Sequence, residues 1–226
     1  MIIGIMPKVE AQAATTPAKV TEEQVKQRME VFKKMVDDGA YFTYDGTPCA
    51  YASGHGCNDC STDRLIKSDH IKNYLGLLPE SIYRLPNKYG RSCMSCKAFV
   101  LIAHWYLYAQ KSTDDVAVNI VNGLNEVKFS SSNMLDSNGN PKFRIGDILE
   151  SDSQNHSLII SDYYKENGKI VGFYTIDCNW NGKNVGNCKV QERKYTFSGF
   201  SNVFGATTVY RATNYSAHVH DYSGNN

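Results

Sequence analysis

The sequence predicts an α+β domain in which helices come first and an antiparallel sheet follows. Three observations carry that expectation. Apolar residues recur at helical spacing over residues 21–36. A second apolar run begins directly after Cys96 and covers nearly every face of a helix. From residue 146 onward the pattern changes to short strand-like runs bounded by turn residues. The chain has 226 residues, 42% of them apolar and 12% aromatic, enough for one sizeable core.

The opening MIIGIMPKVEAQAATTPAKV is an apolar stub followed by Ala-rich sequence. Ala11-Gln12-Ala13 fits the small-x-small pattern of a signal-peptidase site, so a secreted mature chain is expected to begin near Ala14. The positive n-region and most of the apolar core of a signal are missing, and a disordered leader is the alternative. The expected layout is a leader over 1–20, one domain over 21–215 and a flexible tail over 216–226. Within the domain, 21–90 is a helical and disulfide-stapled part and 91–215 the core.

TEEQVKQRMEVFKKM reads as the first helix. Thr21 and Gln24 form a capping-box pattern, Val25, Met29, Phe32 and Val36 share one face, and Gly39 is the expected stop. Residues 40–62 combine Gly, Pro and three Cys, and read as a stapled loop. The segment from Leu65 reads as a short, irregular helix broken at Pro79. Ser95 is placed to cap a central helix from Cys96 to Ala109. The expected strands are 146–150, 156–164, 169–180, 188–197 and 206–212, with Asn167-Gly168 as a tight hairpin turn.

Net charge is +1, with no basic excess to suggest nucleic acid. No apolar run approaches the roughly twenty residues of a membrane span. Seven cysteines are many for a cytosolic chain of this length and suit a secreted one. Their odd number implies one thiol outside any three-bridge scheme.

Cys96 is the candidate nucleophile. A thiolate in the first turn of a helix is stabilised by unpaired backbone N–H groups and the helix dipole. Its own N–H is placed to hold a developing oxyanion. Such a thiol needs a base, and His156, opening the apolar strand HSLIISDYY, is the candidate. Asp177 and Asn179 alternate along TIDCNW and so share a face. Either residue, or both, could orient the imidazole. The thiol is expected to titrate well below the roughly 8.5 of a free cysteine.

These segments resemble a family. SCKAFV resembles the nucleophile segment of NlpC-type and CHAP-type cysteine hydrolases. RIGDILESDSQNHSLIISDYY is similar to their Gly-Asp strand followed by the catalytic-His strand. TIDCNWNGKN is similar to the CHAP segment in which an acid, a spacer, an Asn and a Trp follow one another. The resemblance runs from about Gly90 to Arg211. It implies a papain-like fold, with a central nucleophile-bearing helix packed on the antiparallel sheet. It also implies amide-bond hydrolysis, commonly of bacterial cell-wall peptidoglycan. A monomer without a cofactor is expected. By the same resemblance Cys96 is the nucleophile and His156 the base. Asp177 stands where the family usually has Glu, and Asn179 where it has Asn.

Other readings of the thiols compete with this one. Cys57-x-x-Cys60 and Cys93-x-x-Cys96 together form a four-thiol zinc pattern, with a longer gap than a compact zinc ribbon has. Cys93-x-x-Cys96 alone has thioredoxin-type spacing, but no βαβ pattern precedes it. The hydrolase reading expects no metal. It has Cys178 and Cys188 stapling the connection between them. Cys49, Cys57, Cys60 and Cys93 then share two bridges in one of three connectivities. Pairing of Cys93 within the 49–60 loop would make that loop, with His55, a wall of the cleft. Trp180 is a candidate substrate-stacking residue or a core Trp. His104 is expected in the core, and His70, His218 and His220 in solvent or the tail. A non-catalytic binding module and an acyl transferase remain rival functions on the same fold.

Overall fold

The computed structural model describes residues 18–36, 41–43, 65–67, 96–110, 116–180 and 185–216. The described helices are α1 (Glu22–Met35), α2 (Cys96–Tyr108), α3 (Ser131–Met134) and α4 (Phe197–Phe204). The described strands are β1 (Tyr41–Thr43), β2 (Leu65–Lys67), β3 (Val118–Ile120), β4 (Ile148–Ser151), β5 (His156–Glu166), β6 (Lys169–Trp180), β7 (Val185–Thr196) and β8 (Thr208–Ala212). They form one sheet in the order β2-β1-β7-β6-β5-β4-β8-β3. β1 and β2 run parallel; every other neighbouring pair is antiparallel. The architecture is α+β, with helices and strands more interleaved than the sequence pattern implied.

α1 forms for the reasons its sequence gives. Thr21 Oγ1 accepts from the Gln24 N–H at 3.2 Å, and Gln24 Oε1 accepts from the Thr21 N–H at 2.9 Å. Val25, Met29, Phe32 and Val36 are fully buried. The helix ends at Met35, with the Val36 N–H bonded to the Phe32 carbonyl; Gly39, the expected stop, lies outside the described residues. Phe32 meets Phe99 of α2 at 5.7 Å, which fixes α2 against α1. α2 is buried over most of its surface, as its all-round apolar sequence requires.

The long central strands follow their alternation. β5 and β6 are joined by Asn167-Gly168, with φ of 50° and 76°. Both values lie in the left-handed region that a two-residue hairpin turn demands. Gly146, before β4, has φ of 88°, and a Cβ there would come within 2.3 Å of the Tyr108 hydroxyl. Only glycine fits that approach.

The structure departs from the sequence reading, or adds to it, in four places. Leu65–Lys67 is a strand paired in parallel with Tyr41–Thr43, not helix, so both β1 and β2 interrupt segments read as loop and helix. Ile66 is β-branched and favours that pairing. Val118–Ile120 is an exposed edge strand beside β8, too short for period-two reading. Residues 197–204 leave the sheet as α4. There Thr196 caps the helix by accepting from the Gly199 N–H, and Phe197, Phe200 and Phe204 line its buried face. Finally, Val20 and Ser216 pack with the described fold. Val20 is fully buried, its N–H bonds to the Asn214 carbonyl, and the Ser216 N–H bonds back to the Val20 carbonyl.

α1 and α4 lie on opposite faces of the sheet. Lys33 of α1 reaches Glu192 at 2.8 Å, whereas Phe200 of α4 packs on Tyr195 at 5.5 Å. Three residues apart on one strand, Glu192 and Tyr195 point to opposite sides. No described helix is long and apolar enough to cross a membrane.

Candidate active site

The site lies where the start of α2 meets the start of β5 and the end of β6. Cys96 is the first residue of α2 and 6% exposed. His156 is the first residue of β5 and its side chain is fully enclosed. Asp177 is near the end of β6 and 1% exposed. The register Ile159↔Ile176 brings these two strand ends alongside one another.

His156 Nε2 and Asp177 Oδ2 are 2.6 Å apart. Asp177 is therefore within hydrogen-bond reach of the imidazole. The side chain of Asn179 lies outside the described residues. The other ring nitrogen, Nδ1, is buried without a hydrogen bond of standard geometry. Cys96 nonetheless acts on the ring, while its thiol makes a long contact of 3.9 Å with the Asn155 carbonyl. A looser contact of this kind is ordinary for a site without substrate. Burial alone would lower the His156 pKa. The hydrogen bond to Asp177, then the interaction with Cys96, outweigh burial and raise it to about 9. The imidazole is thus held as a cation, next to a carboxylate on one side and a thiol on the other.

The turn before β5 sets this geometry. Asn155 has φ of 46°, a left-handed conformation that Asn tolerates better than most residues, and it directs its carbonyl at Cys96. Ser151, opposite His156 in the β4–β5 ladder, donates to the Phe204 carbonyl at 2.5 Å, and Ser153 donates to the same oxygen at 2.8 Å. These bonds tie the turn to the end of α4. The Phe204 ring stacks on His156 at 5.9 Å, and Trp180 lies against the imidazole at 5.0 Å on β6. The two rings shield the His156–Asp177 bond from water and favour the cationic imidazole.

Trp180 is consequently not an open stacking surface for substrate. It is 2% exposed and serves as a wall for His156, which corrects its expected substrate-binding role. His104 is in the core, as expected of it. Its pKa is lowered to about 4 by burial, so it is neutral near pH 7. His55, His70, His218 and His220 lie outside the described residues, as do Cys49, Cys57, Cys60, Cys93 and the side chain of Cys188. The expected bridges among those cysteines, and from Cys178 to Cys188, therefore fall outside as well. In the ladder, buried Cys178 stands opposite Val190. Among the described residues no group of three or more His, Cys, Asp or Glu side chains suits a metal ion. Of the four thiols in the zinc pattern only Cys96 is described.

Three contributors were missed in the sequence. Phe204 lies in 198–205, which was assigned to no element, although Phe197, Phe200 and Phe204 already show helical spacing. Ser151 and Ser153 act through a carbonyl about fifty residues away, which no local pattern signals.

No protein-family model, curated protein or solved structure matches this chain. The functional reading therefore rests on the geometry of these side chains. A thiol at a helix start, an imidazolium and a buried carboxylate in sequence can form and resolve a thioester.

Proposed function

We propose that the chain is a secreted cysteine hydrolase of papain-like fold that cleaves amide bonds in bacterial cell-wall peptide. The observation that carries this reading is the 2.6 Å contact of His156 with Asp177, with Cys96 beside the same imidazole at the first position of α2.

The chemistry runs in two halves. The Cys96 thiolate attacks the amide carbonyl, and the Cys96 backbone N–H donates to the developing oxyanion. The His156 imidazolium gives its proton to the leaving amine, which leaves a thioester and a neutral imidazole. Neutral His156 then takes a proton from water as the water attacks the thioester. Collapse of that intermediate releases the carboxylic acid, and the thiolate and imidazolium are restored. Asp177 keeps Nε2 on its oxygen, which leaves Nδ1 for the reacting groups.

The test is incubation with purified bacterial cell walls, followed by mass analysis of the released fragments. New amine and carboxylate termini at one peptide linkage are expected. Walls left intact by protein whose Cys96 is reduced and alkylatable would contradict the substrate assignment. Adding an amine to the same reaction distinguishes transfer from hydrolysis, since a transferase would yield the amine adduct in place of the acid.

A further inference from the structure

We propose that Arg193 is a positioning residue for the His156–Asp177 pair, supplying a positive charge behind the carboxylate. The inference rests on His156 being the proton carrier of the proposed site.

Asp177 uses one oxygen, Oδ2, for His156; its other oxygen, Oδ1, is buried without a hydrogen-bond partner among the described residues. A buried carboxylate oxygen in that condition is costly unless a cation lies near it. β7 supplies one. Arg193 stands directly opposite Thr175, and Thr175 and Asp177 occupy alternate positions of β6, so the guanidinium and the carboxylate share a face. Arg193 Nε is itself buried without a partner among the described residues. Arg193 Nη2 donates to the Trp180 carbonyl at 2.8 Å, and the Trp180 ring is the wall that lies 5.0 Å from His156. Tyr195, next on the same face of β7, interacts with both Arg193 and Asp177, which places the two opposite charges in one local field.

One side chain therefore does two things. Its positive charge lies on the same face of the sheet as the Asp177 carboxylate. Its hydrogen bond fixes the end of β6, where the register shifts between Cys178 and Trp180, and so fixes the indole against the ring. Among the described residues, Cys96 faces His156 from α2 and Asp177 from β6, α4 brings the uncharged Phe204, and β4 brings Ser151; Arg193 and Tyr195 of β7 lie on the Asp177 side of the pair.

The experiment separates the charge from the contact. The His156 ring proton is followed by NMR against pH in the parent chain, in Arg193→Gln and in Arg193→Lys. Gln can still donate to the Trp180 carbonyl but carries no charge; Lys keeps the charge and loses the planar fork. Removing a nearby cation stabilises the imidazolium, so the Arg193→Gln midpoint should rise by about one pH unit. The Arg193→Lys midpoint should stay within about 0.2 units of the parent. Equal midpoints in all three proteins, or equal shifts in both variants, would overturn the proposal. So would an Arg193→Gln chain that fails to fold beside a folded Arg193→Lys chain, because Arg193 would then act on stability alone. The readout is a titration and not a turnover, so failure of wall cleavage would leave this result standing, and the reverse.

Discussion

Cys96→Ala is expected to lose hydrolysis by about 10⁴-fold or more while keeping its fold. The nucleophile and its imidazole act as a unit, so removing the thiol leaves only the binding and oxyanion contributions. The fold should survive because Cys96 anchors little of α2. That helix is held by Phe99, Ile102, Ala103 and Leu107, each 1% exposed or less. A smaller side chain at the first helical position, 6% exposed, costs little packing by comparison. Initial rates on walls, with circular dichroism of the same samples, check both halves. Cys93→Ser should instead lower stability, since Cys93 is expected to lie in a bridge. Full activity in Cys96→Ala would mean that another residue is the nucleophile.

Asp147→Ala should destabilise the chain by about 3–5 kcal/mol without touching the site's chemistry. Asp147 is fully buried just before β4. Its Oδ1 accepts from Arg211 Nε at 2.9 Å, and its Oδ2 accepts from Arg211 Nη2 at 2.6 Å and from the Arg144 N–H at 2.8 Å. Deleting the carboxylate strands a guanidinium that is largely enclosed and removes the acceptor that holds the turn before β4. The same arginine also donates to the Lys142 carbonyl at 2.8 Å, so the damage spreads into the preceding loop. Urea denaturation of Asp147→Ala against the parent measures the loss. A change of less than about 1 kcal/mol would show that Arg211 is already satisfied by solvent and the Lys142 carbonyl.

The family resemblance drew attention to the Gly-Asp dipeptide before its physical role was visible. Gly146 admits the Tyr108 hydroxyl, and Asp147 binds an arginine from the last strand. β5 and β6 were legible because alternation and Asn167-Gly168 agree with each other and with the sheet. α1 was legible because its cap and its apolar stripe are both local. β2 and β3 were not, since three-residue strands owe their form to a neighbour and not to their own sequence. α4 was not read: the strand assigned to 188–197 runs into its first residue, and burial of Phe200 against Phe173 and Tyr195 decides for helix.

The candidate site divides in the same way. Cys96, His156 and Asp177 were legible as residue types in order, because each sits at the start or end of a recognisable element. Nothing in TIDCNW distinguishes Asp177 from Asn179, which share a face; the 2.6 Å contact with Nε2 puts Asp177 within hydrogen-bond reach of the imidazole. The roles of Phe204, Ser151 and Arg193 depend on tertiary contacts across α4, β4 and β7. Such contacts leave no periodic trace in a single sequence.

The central claim is that Cys96 reacts as a thiolate paired with the His156 imidazolium, and the pH dependence of its alkylation tests this most directly. His156 has its pKa raised to about 9, above the 6.5 of an unperturbed imidazole. The cation, and whatever stability and thiolate character it confers, should be fully present below pH 6.5 and lost as pH rises through about 9. Iodoacetamide should therefore modify Cys96 rapidly even at pH 6 to 7, where only a few per cent of a free thiol of pKa about 8.5 is ionised. In His156→Ala that low-pH reactivity should vanish, and the rate should climb only as pH approaches the range of an ordinary thiol. Peptide mapping locates the label on Cys96 in both proteins. Superimposable rate profiles for the parent and His156→Ala would contradict the ion pair, and with it the assignment of Cys96 as an activated nucleophile.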